Sequence, residues 1–241
     1  DLKIGARIEV DEAKEDPLDF VLWKAAKPGE PSWQSPWGAG RPGWHIECSV
    51  INKVAFGEHE IDIHTGGIDL IFPHHTNEIA QSQPLGPFVK HWMHAEHLQV
   101  ADEKMAKSKN NFYTLRDVEE KGFTGLDLRY LYLQSHYKTQ SNFSWETLES
   151  SHAALVKLKN SVGSLENIPK DSNFTKAINN DLNTAKALAS AWEDKDSLLP
   201  YDAVLGLKLD EKTTVEIPPA VQELLDARKV ARDSKDFAKS D

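Results

Sequence analysis

The stretch HTGGIDLIFPHHTNEIAQS, residues 64–82, determines how we interpret the rest of the chain. A short apolar run in this stretch ends at Pro73, and proline is favoured at the first position of a helix, so we predict that a helix begins there. His74 and Glu78 are four residues apart and would share one face of that helix. An imidazole and a carboxylate at this spacing can bind one cation. The stretch therefore predicts a strand followed by a helix that carries metal ligands.

The only cysteine of the chain, Cys48, follows a Pro-Gly turn in the segment RPGWHIECS. A thiolate, an imidazole and a carboxylate are typical zinc ligands, so Cys48, His74 and Glu78 form a candidate zinc set with one position unfilled. The ordinary alternative for two histidines at a helix start is a solvated helix cap. Eight of the ten histidines lie between His45 and His97, in the same part of the chain as the cysteine, and this clustering favours a functional pocket.

The composition limits the class of protein. With 241 residues, 39% hydrophobic content and no long apolar run, we expect a soluble protein of two compact units without a membrane segment. A single cysteine cannot form an internal disulfide and no leader segment is visible, so we expect a reducing, cytoplasmic compartment. The formal charge of −10 argues against a protein that coats nucleic acid, and any RNA contact must be local.

Helices and strands alternate in the first part of the chain. We predict helices at residues 16–27, 46–56 and 73–82, a strand at residues 60–64, and a loop at residues 31–43. Such alternation is typical of an α/β fold with a parallel sheet. Ligands of such sheets bind beyond the carboxyl ends of the strands, which is where the Gly-Gly pair of the opening stretch would lie.

Three lysines lie within six residues of the segment ADEKMAKSKNN, namely Lys104, Lys107 and Lys109. The ordinary interpretation of such a segment is a solvated charged turn. The functional interpretation is a mobile basic loop whose ammonium groups stabilise the charge that develops as a phosphoryl bond breaks. The residues alone leave both interpretations open.

Helical spacing dominates the second half of the chain. We predict helices at residues 126–135, 145–162, 173–192 and 219–239, joined by short connections. Short connections favour antiparallel neighbours, so the sequence predicts an α-helical bundle after the α/β part.

Three motifs carry a resemblance to a known family. The segments GWHIECS, FPHHTNEIAQS and KMAKS occur in an order and at a spacing that resembles cysteinyl-tRNA synthetases. The segments TLRDV, LRY, SHY and NDLNT further along are also similar to that family. The resemblance covers nearly the whole chain, and three motifs in register are far more specific than any one of them.

The resemblance implies a fold as well as a family. We expect the second half of the Rossmann-like catalytic domain of a class I synthetase, followed by an α-helical bundle. Residues 1–95 would be the carboxyl half of the catalytic domain with the zinc site, and residues 96–143 would be the connecting region with the lysine loop. Residues 144–241 would be a helical bundle that contacts tRNA.

The resemblance also implies roles for individual residues around the metal. Cys48, His74 and Glu78 would bind zinc, and a fourth ligand would be a cysteine from an amino-terminal half that this chain does not include. Trp44 and His64 would line the pocket for the cysteine side chain.

A second group of residues would bind ATP, with magnesium. Gly67 and Asp69 would approach the adenosine. Lys104 and Lys107 would be catalytic residues: Lys107 would contact ATP, and Lys104 would help to bind and orient its phosphates.

The activity implied is the ATP-dependent activation of L-cysteine to cysteinyl adenylate and its transfer to the 3′ end of tRNA(Cys), with selection of cysteine by a zinc–thiolate contact. The implied partners are tRNA(Cys), L-cysteine and ATP, and we expect a monomer. Two alternatives stay open: a cysteine ligase that acts on an amino-sugar acceptor, and a non-catalytic paralogue that binds zinc or RNA.

The chain departs from the family pattern in several places. The amino-terminal His-x-Gly-His motif is absent from the sequence, so we expect that this chain alone is not a competent enzyme. In the lysine loop, Ala106 replaces the usual serine, and Lys109 and Asn110 replace Leu-Gly. The joins near Pro84 and Glu193 are also shorter than is usual in the family.

Overall fold

The computed structural model describes residues 14–100, 102–105, 111–162, 172–211, 219–234 and 236. The chain folds into two compact units. Unit 1 comprises Asp1–Tyr113 and Ser135–Ser144, and unit 2 comprises Thr114–Gln134 and Trp145–Asp241. The division of the chain into three parts, with boundaries after residues 95 and 143, stays a prediction.

The part of unit 1 that the structure describes contains three small sheets and two α-helices. Its strands are β1 (Trp23–Ala25), β2 (Gly40–Pro42), β3 (Ile61–Gly67), β4 (Val89–Ala95), β5 (Leu98–Val100), β6 (Glu103–Lys104) and β7 (Ser141–Phe143). Its helices are α1 (Trp44–Phe56) and α2 (Thr76–Ser82). Strands β1 and β2 pair antiparallel, β3 and β4 pair parallel, and the third sheet has the order β6-β5-β7. The expected mixture of helices with a parallel strand pair is therefore present.

The parallel pair β3 and β4 forms the frame of the candidate site. Its register places His64 opposite Trp92 and Gly66 opposite His94. A distorted helical turn, Ile71–His75, follows β3 and leads directly into α2. The predicted helix after Pro73 is therefore present, although its regular part begins three residues later than we predicted.

Helix α1 packs against α2 in unit 1. Glu47 lies in its first turn and Lys53 in its last turn, an arrangement that complements the helix dipole. The helix ends at Phe56, and Gly57, which caps it, has a φ of 64° in the left-handed region that favours glycine. The predicted helix at residues 46–56 is confirmed, with a start two residues earlier.

The segment at residues 16–27 is not a helix, contrary to our prediction. The Asp16 carboxylate accepts a hydrogen bond from the backbone N–H of Leu18 and so favours a local turn. Residues Trp23–Ala25 then pair with Gly40–Pro42 as β1 and β2, so the predicted loop at residues 31–43 also contains a strand. The sequence signal failed because an Asp-Pro pair begins turns as readily as helices.

Unit 2 is helical in its described part. Its helices are α3 (Leu115–Glu120), α4 (Gly125–Leu133), α5 (Trp145–Lys159), α6 (Asn173–Asn179), α7 (Thr184–Glu193), α8 (Leu198–Leu205) and α9 (Pro219–Asp233). Capping boxes at Thr114 and Thr124 begin α3 and α4. A buried core joins α4 through α8, and in it the rings of Phe174 and Tyr201 stack with centroids 4.0 Å apart. None of the helices in the described ranges combines the length and the apolar character that a membrane crossing requires.

The predicted helix at residues 173–192 is interrupted in the structure. Helix α6 ends before Asp181 and Leu182, whose φ angles of 56° and 52° are left-handed. The Asn183 side chain then accepts a hydrogen bond from the backbone N–H of Lys186 and caps α7. Helical spacing continues through the break, so the periodicity alone could not reveal it.

The carboxylate of Asp202 holds the end of α8 in place. It accepts hydrogen bonds from the backbone N–H groups of Leu207 and Leu209, at 2.7 and 2.9 Å. Both leucine side chains are fully buried in the core of unit 2. We expect Asp202→Ala to lower the free energy of unfolding by about 2–3 kcal/mol, because two buried donors lose a charged acceptor. Urea unfolding followed by circular dichroism would measure this loss.

The neighbouring exposed residue gives a matched control. Asp210→Ala removes a carboxylate at an exposed position just after Leu209 and should change the free energy of unfolding by less than about 0.5 kcal/mol. Equal effects of the two substitutions would contradict the role that we assign to Asp202.

Candidate metal and nucleotide site

The three candidate zinc ligands lie together in unit 1. Cys48 belongs to α1, His74 to the turn before α2, and Glu78 to α2. One potential ligand atom from each of them lies within 4.8 Å of the other two. His74 and Glu78 are buried and Cys48 is partly buried. The structure thus brings Cys48 next to His74 and Glu78, which follow it by 26 and 30 residues in the sequence, and the role of the three as ligands stays a prediction.

Glu78 is the most deeply buried member of this group, with 0% of the residue exposed. Its Oε1 atom lies 2.8 Å from Nε2 of His74, and its Oε2 atom accepts a hydrogen bond of 3.4 Å from Asn52. Among the described residues, no group satisfies hydrogen-bond geometry with Oε1. Burial raises the pKa of the Glu78 carboxyl to about 7. A bound cation would stabilise the ionised carboxylate at this place.

Burial also raises the pKa of the Cys48 thiol above its usual value, and the carboxyl groups of Glu78 and Glu47 raise it further. Without a cation the thiol is therefore protonated at neutral pH. A metal ion reverses this preference because a coordinating thiol loses its proton. A thiol, an imidazole and a carboxylate thus form a donor set of the kind that binds zinc.

Trp44 and His64, the two residues expected at the cysteine pocket, both border this group. The Trp44 ring stacks on the His74 ring with centroids 4.3 Å apart, and half of Trp44 is exposed. Nε2 of His64 lies 3.6 Å from Oε2 of Glu78. Burial lowers the pKa of His64, and the nearby His74 and His94 lower it further, so this imidazole is neutral.

The residues expected at the nucleotide form a second group. Asp69 lies just beyond Gly67, the last residue of β3, and its carboxylate oxygens lie 3.4 Å from Nε2 of His97 and 3.5 Å from Nζ of Lys104. Burial alone would raise the pKa of Asp69, but His97 and Lys104 outweigh it and hold the pKa below its usual value. The structure therefore brings Asp69 and Lys104 together. Lys107 lies outside the described residues.

The two glycines at the end of β3 allow close contacts on opposite sides of the strand. A Cβ atom on Gly66 would lie 2.7 Å from Cε1 of His75. A Cβ atom on Gly67 would lie 2.6 Å from Oδ1 of Asp69. Only glycine can therefore occupy either position without moving these side chains.

Further histidines surround the site, and our sequence reasoning did not assign them. Nδ1 of His45 lies 2.8 Å from Nδ1 of His74, and Nδ1 of His75 lies 2.7 Å from Nε2 of His94. Asn52, which contacts Glu78, was also missed. The histidine clustering was the available signal for these histidines, and no signal indicated Asn52. The contact of His75 with His94 also depends on how β4 lies beside β3, which the sequence does not show.

Comparison with known proteins agrees with the motifs. A family model described as the catalytic domain of class I (C) tRNA synthetases matches residues 1–153. The curated relatives include cysteine--tRNA ligases of Pseudomonas fluorescens strain SBW25, at 43% identity, and of Azotobacter vinelandii strain DJ, at 45% identity. Each alignment covers 100% of this chain and 59% of the relative, so the chain spans 59% of the length of these relatives.

These alignments run over 275 residues, which exceeds the 241 residues of this chain. The relatives therefore contain positions that the chain lacks. Whether these positions fall near Pro84 and Glu193, as we expect, stays a prediction. Because the family model matches more than half of the chain, the chain belongs to the class I tRNA synthetases of the cysteinyl type, as its three motifs predicted.

Proposed function

We propose that the protein to which this chain belongs activates L-cysteine with ATP to form cysteinyl adenylate, and then transfers cysteine to the 3′ end of tRNA(Cys). The convergence of Cys48, His74 and Glu78 beside Trp44 and His64 carries this proposal. The names of the relatives, cysteine--tRNA ligases, support the choice of substrates.

In this proposal Cys48, His74 and Glu78 hold a zinc ion. The donor types fit zinc, and one oxygen of the buried Glu78 carboxylate, Oε1, has no hydrogen-bond partner among the described residues. A zinc ion with an open position would lower the pKa of the substrate thiol and prefer its sulfur to the hydroxyl of serine. Cysteine could then be selected without an editing step.

The surrounding residues shape the pocket for the amino acid. Trp44 lies over the His74 ring and would cover the substrate side chain from one side. The neutral His64 imidazole, held next to Glu78, would contact it from the other side. These two rings would exclude water from the thiol and orient it.

ATP would bind at the second group of residues. Gly67 would approach the adenosine together with Asp69, whose carboxylate lies so close to Gly67 that a Cβ atom there would come within 2.6 Å of Oδ1. Lys104 and Lys107 would bind the phosphates, with magnesium, and meet the charge that develops on the leaving pyrophosphate. The contact of Lys104 with Asp69 supports its position near the nucleotide.

The helices of unit 2 would form the α-helical bundle that contacts tRNA. The NDLNT segment, which begins at the turn between α6 and α7, supports this assignment through its resemblance to the family. Phosphate contacts make RNA affinity fall as salt rises. Aminoacylation should therefore weaken with salt more than adenylate formation does.

The acceptor decides between this function and a cysteine ligase that acts on an amino sugar. The experiment supplies the full-length protein with labelled cysteine, ATP and either unfractionated tRNA or glucosaminyl-inositol. We expect label on the RNA and none on the sugar, because the relatives are named as tRNA ligases. Label on the sugar alone would contradict the proposal. Without ATP neither acceptor should be labelled. This control detects any cysteine that attaches to an acceptor without activation.

A further inference from the structure

A second set of potential metal ligands lies beside the first. Ligand atoms of His64, His75 and Glu78 lie within 4.8 Å of one another, as do those of Cys48, His74 and Glu78. Glu78 alone belongs to both sets. The second set contains no sulfur atom, and neither the family motifs nor the proposed function assigns a metal to it.

The two oxygens of Glu78 face different histidines. Oε1 lies 2.8 Å from Nε2 of His74, in the first set, and Oε2 lies 3.6 Å from Nε2 of His64, in the second. A carboxylate in this position can bind one ion through each oxygen, as carboxylates do in two-metal sites with ions about 3.5–4 Å apart. The shared residue is thus arranged as a bridge.

The position of His75 is fixed by its neighbours. Its ring lies against the backbone of β3, where a Cβ atom on Gly66 would come within 2.7 Å of Cε1. Its Nδ1 atom lies 2.7 Å from Nε2 of His94, so one ring nitrogen is held by a partner. Histidines that bind metals commonly have their second nitrogen held in this way, because the contact fixes the ring and its tautomer. His75 is also only 3% exposed, so little water reaches its ring.

We propose that a second divalent cation binds to His64, His75 and Glu78 when zinc is in excess, with Glu78 bridging the two ions, and that this second ion inhibits the binding of cysteine. The inhibitory part rests on the proposed function, in which His64 lines the cysteine pocket. The ion would be of the zinc or cobalt class, since two imidazoles and a carboxylate suit such metals.

The second ion binds more weakly than the first. It has no thiolate ligand, it shares its only negatively charged ligand, and it is repelled by the ion on the other side of Glu78. It therefore occupies its position only at metal concentrations above those that fill the first site.

Cobalt(II) titration of the metal-free, full-length protein can distinguish the two positions. An ion bound by the Cys48 thiolate gives a sulfur-to-cobalt charge-transfer band, whereas an ion bound by His64 and His75 does not. We expect equilibrium dialysis to find two ions per chain, the first with the band and the second, weaker one without it. His75→Gln should bind one ion and keep the band, which also shows that the variant is folded around the first site.

An exposed histidine on β4 gives the matched control. His91→Gln should still bind two ions, because His91 belongs to neither set. One ion in the wild-type protein at saturating cobalt, or two ions in His75→Gln, would overturn the proposal. If the first ion gives no charge-transfer band, the role of Cys48 in the proposed function is wrong, and the difference between wild type and His75→Gln still decides the second position.

The inhibition is measured by cysteine-dependent pyrophosphate exchange. At a zinc concentration that half fills the second position, the apparent KM for cysteine should rise about twofold, because only half of the protein can bind the substrate. Free zinc also binds cysteine in solution, so His75→Gln is measured in the same mixtures and should show a smaller rise. An equal rise in both proteins would refute the inhibitory role.

Discussion

Lys107→Ala is expected to lower the turnover of cysteine-dependent pyrophosphate exchange in the full-length protein by about a hundredfold or more. Activation moves negative charge onto the leaving pyrophosphate, and a lysine that meets this charge chiefly in the transition state affects turnover more than ATP binding. Loss of one such donor costs about a hundredfold to a thousandfold in turnover. The prediction rests on the KMAKS motif, because Lys107 lies outside the described residues.

A nearby lysine of the same segment provides the control for this prediction. Lys109→Ala removes the same charge two residues further on, at a position where the family does not use lysine, and should change turnover much less. If Lys107→Ala leaves turnover near normal and only raises the KM for ATP, Lys107 binds the ground state and does not serve the chemistry.

Cys48→Ser is expected to weaken zinc binding by about a hundredfold or more. Loss of a residue that only supports a metal ligand already costs about 10–100-fold in affinity, and a hydroxyl is a poor substitute for a thiolate ligand. This loss would be measured in the full-length protein, first as the zinc content after purification and then as the zinc affinity in competition with a chelator. The protein should also lose its preference for cysteine over serine, because the metal is expected to select the substrate.

A serine at an exposed position of α1 controls for the effect of the substitution on the helix. Ile51→Ser introduces the same side chain at a residue that is 64% exposed and lies outside both ligand sets. It should leave the zinc content unchanged. A fully loaded Cys48→Ser variant would show that the cysteine is not a ligand.

The sequence predicted the elements that local spacing alone defines. Helix α1 and strand β3 lie close to their predicted positions, although several apolar residues of both, such as Ile51 and Ile63, are exposed in the structure. The helix prediction at residues 16–27 was wrong because the end of this segment pairs as β1 with β2. Local sequence does not reveal such a contact. The break at Asp181 was missed because left-handed residues leave no trace in the spacing.

The candidate site shows a similar limit. The spacing of His74 and Glu78 was enough to predict that the two residues meet, since both lie in one continuous segment. The position of Cys48 next to them depends on the packing of α1 against α2, which local spacing does not show. The donor types, the histidine clustering and then the family resemblance led to the prediction that Cys48 joins them. The pair His75 and His94 could not be predicted, because it depends on the alignment of two strands that are joined by a helix.

The paired glycines at the end of β3 lie between the proposed metal ligands and the proposed adenosine site. Neighbouring residues of a strand point to opposite faces, so Gly66 adjoins the ring of His75 and Gly67 adjoins the carboxylate of Asp69. A side chain added at Gly66 would therefore disturb the proposed metal ligands, and one added at Gly67 would disturb the proposed adenosine site. Under the proposed function, substitutions at two adjacent residues would thus affect thiol recognition and nucleotide recognition separately.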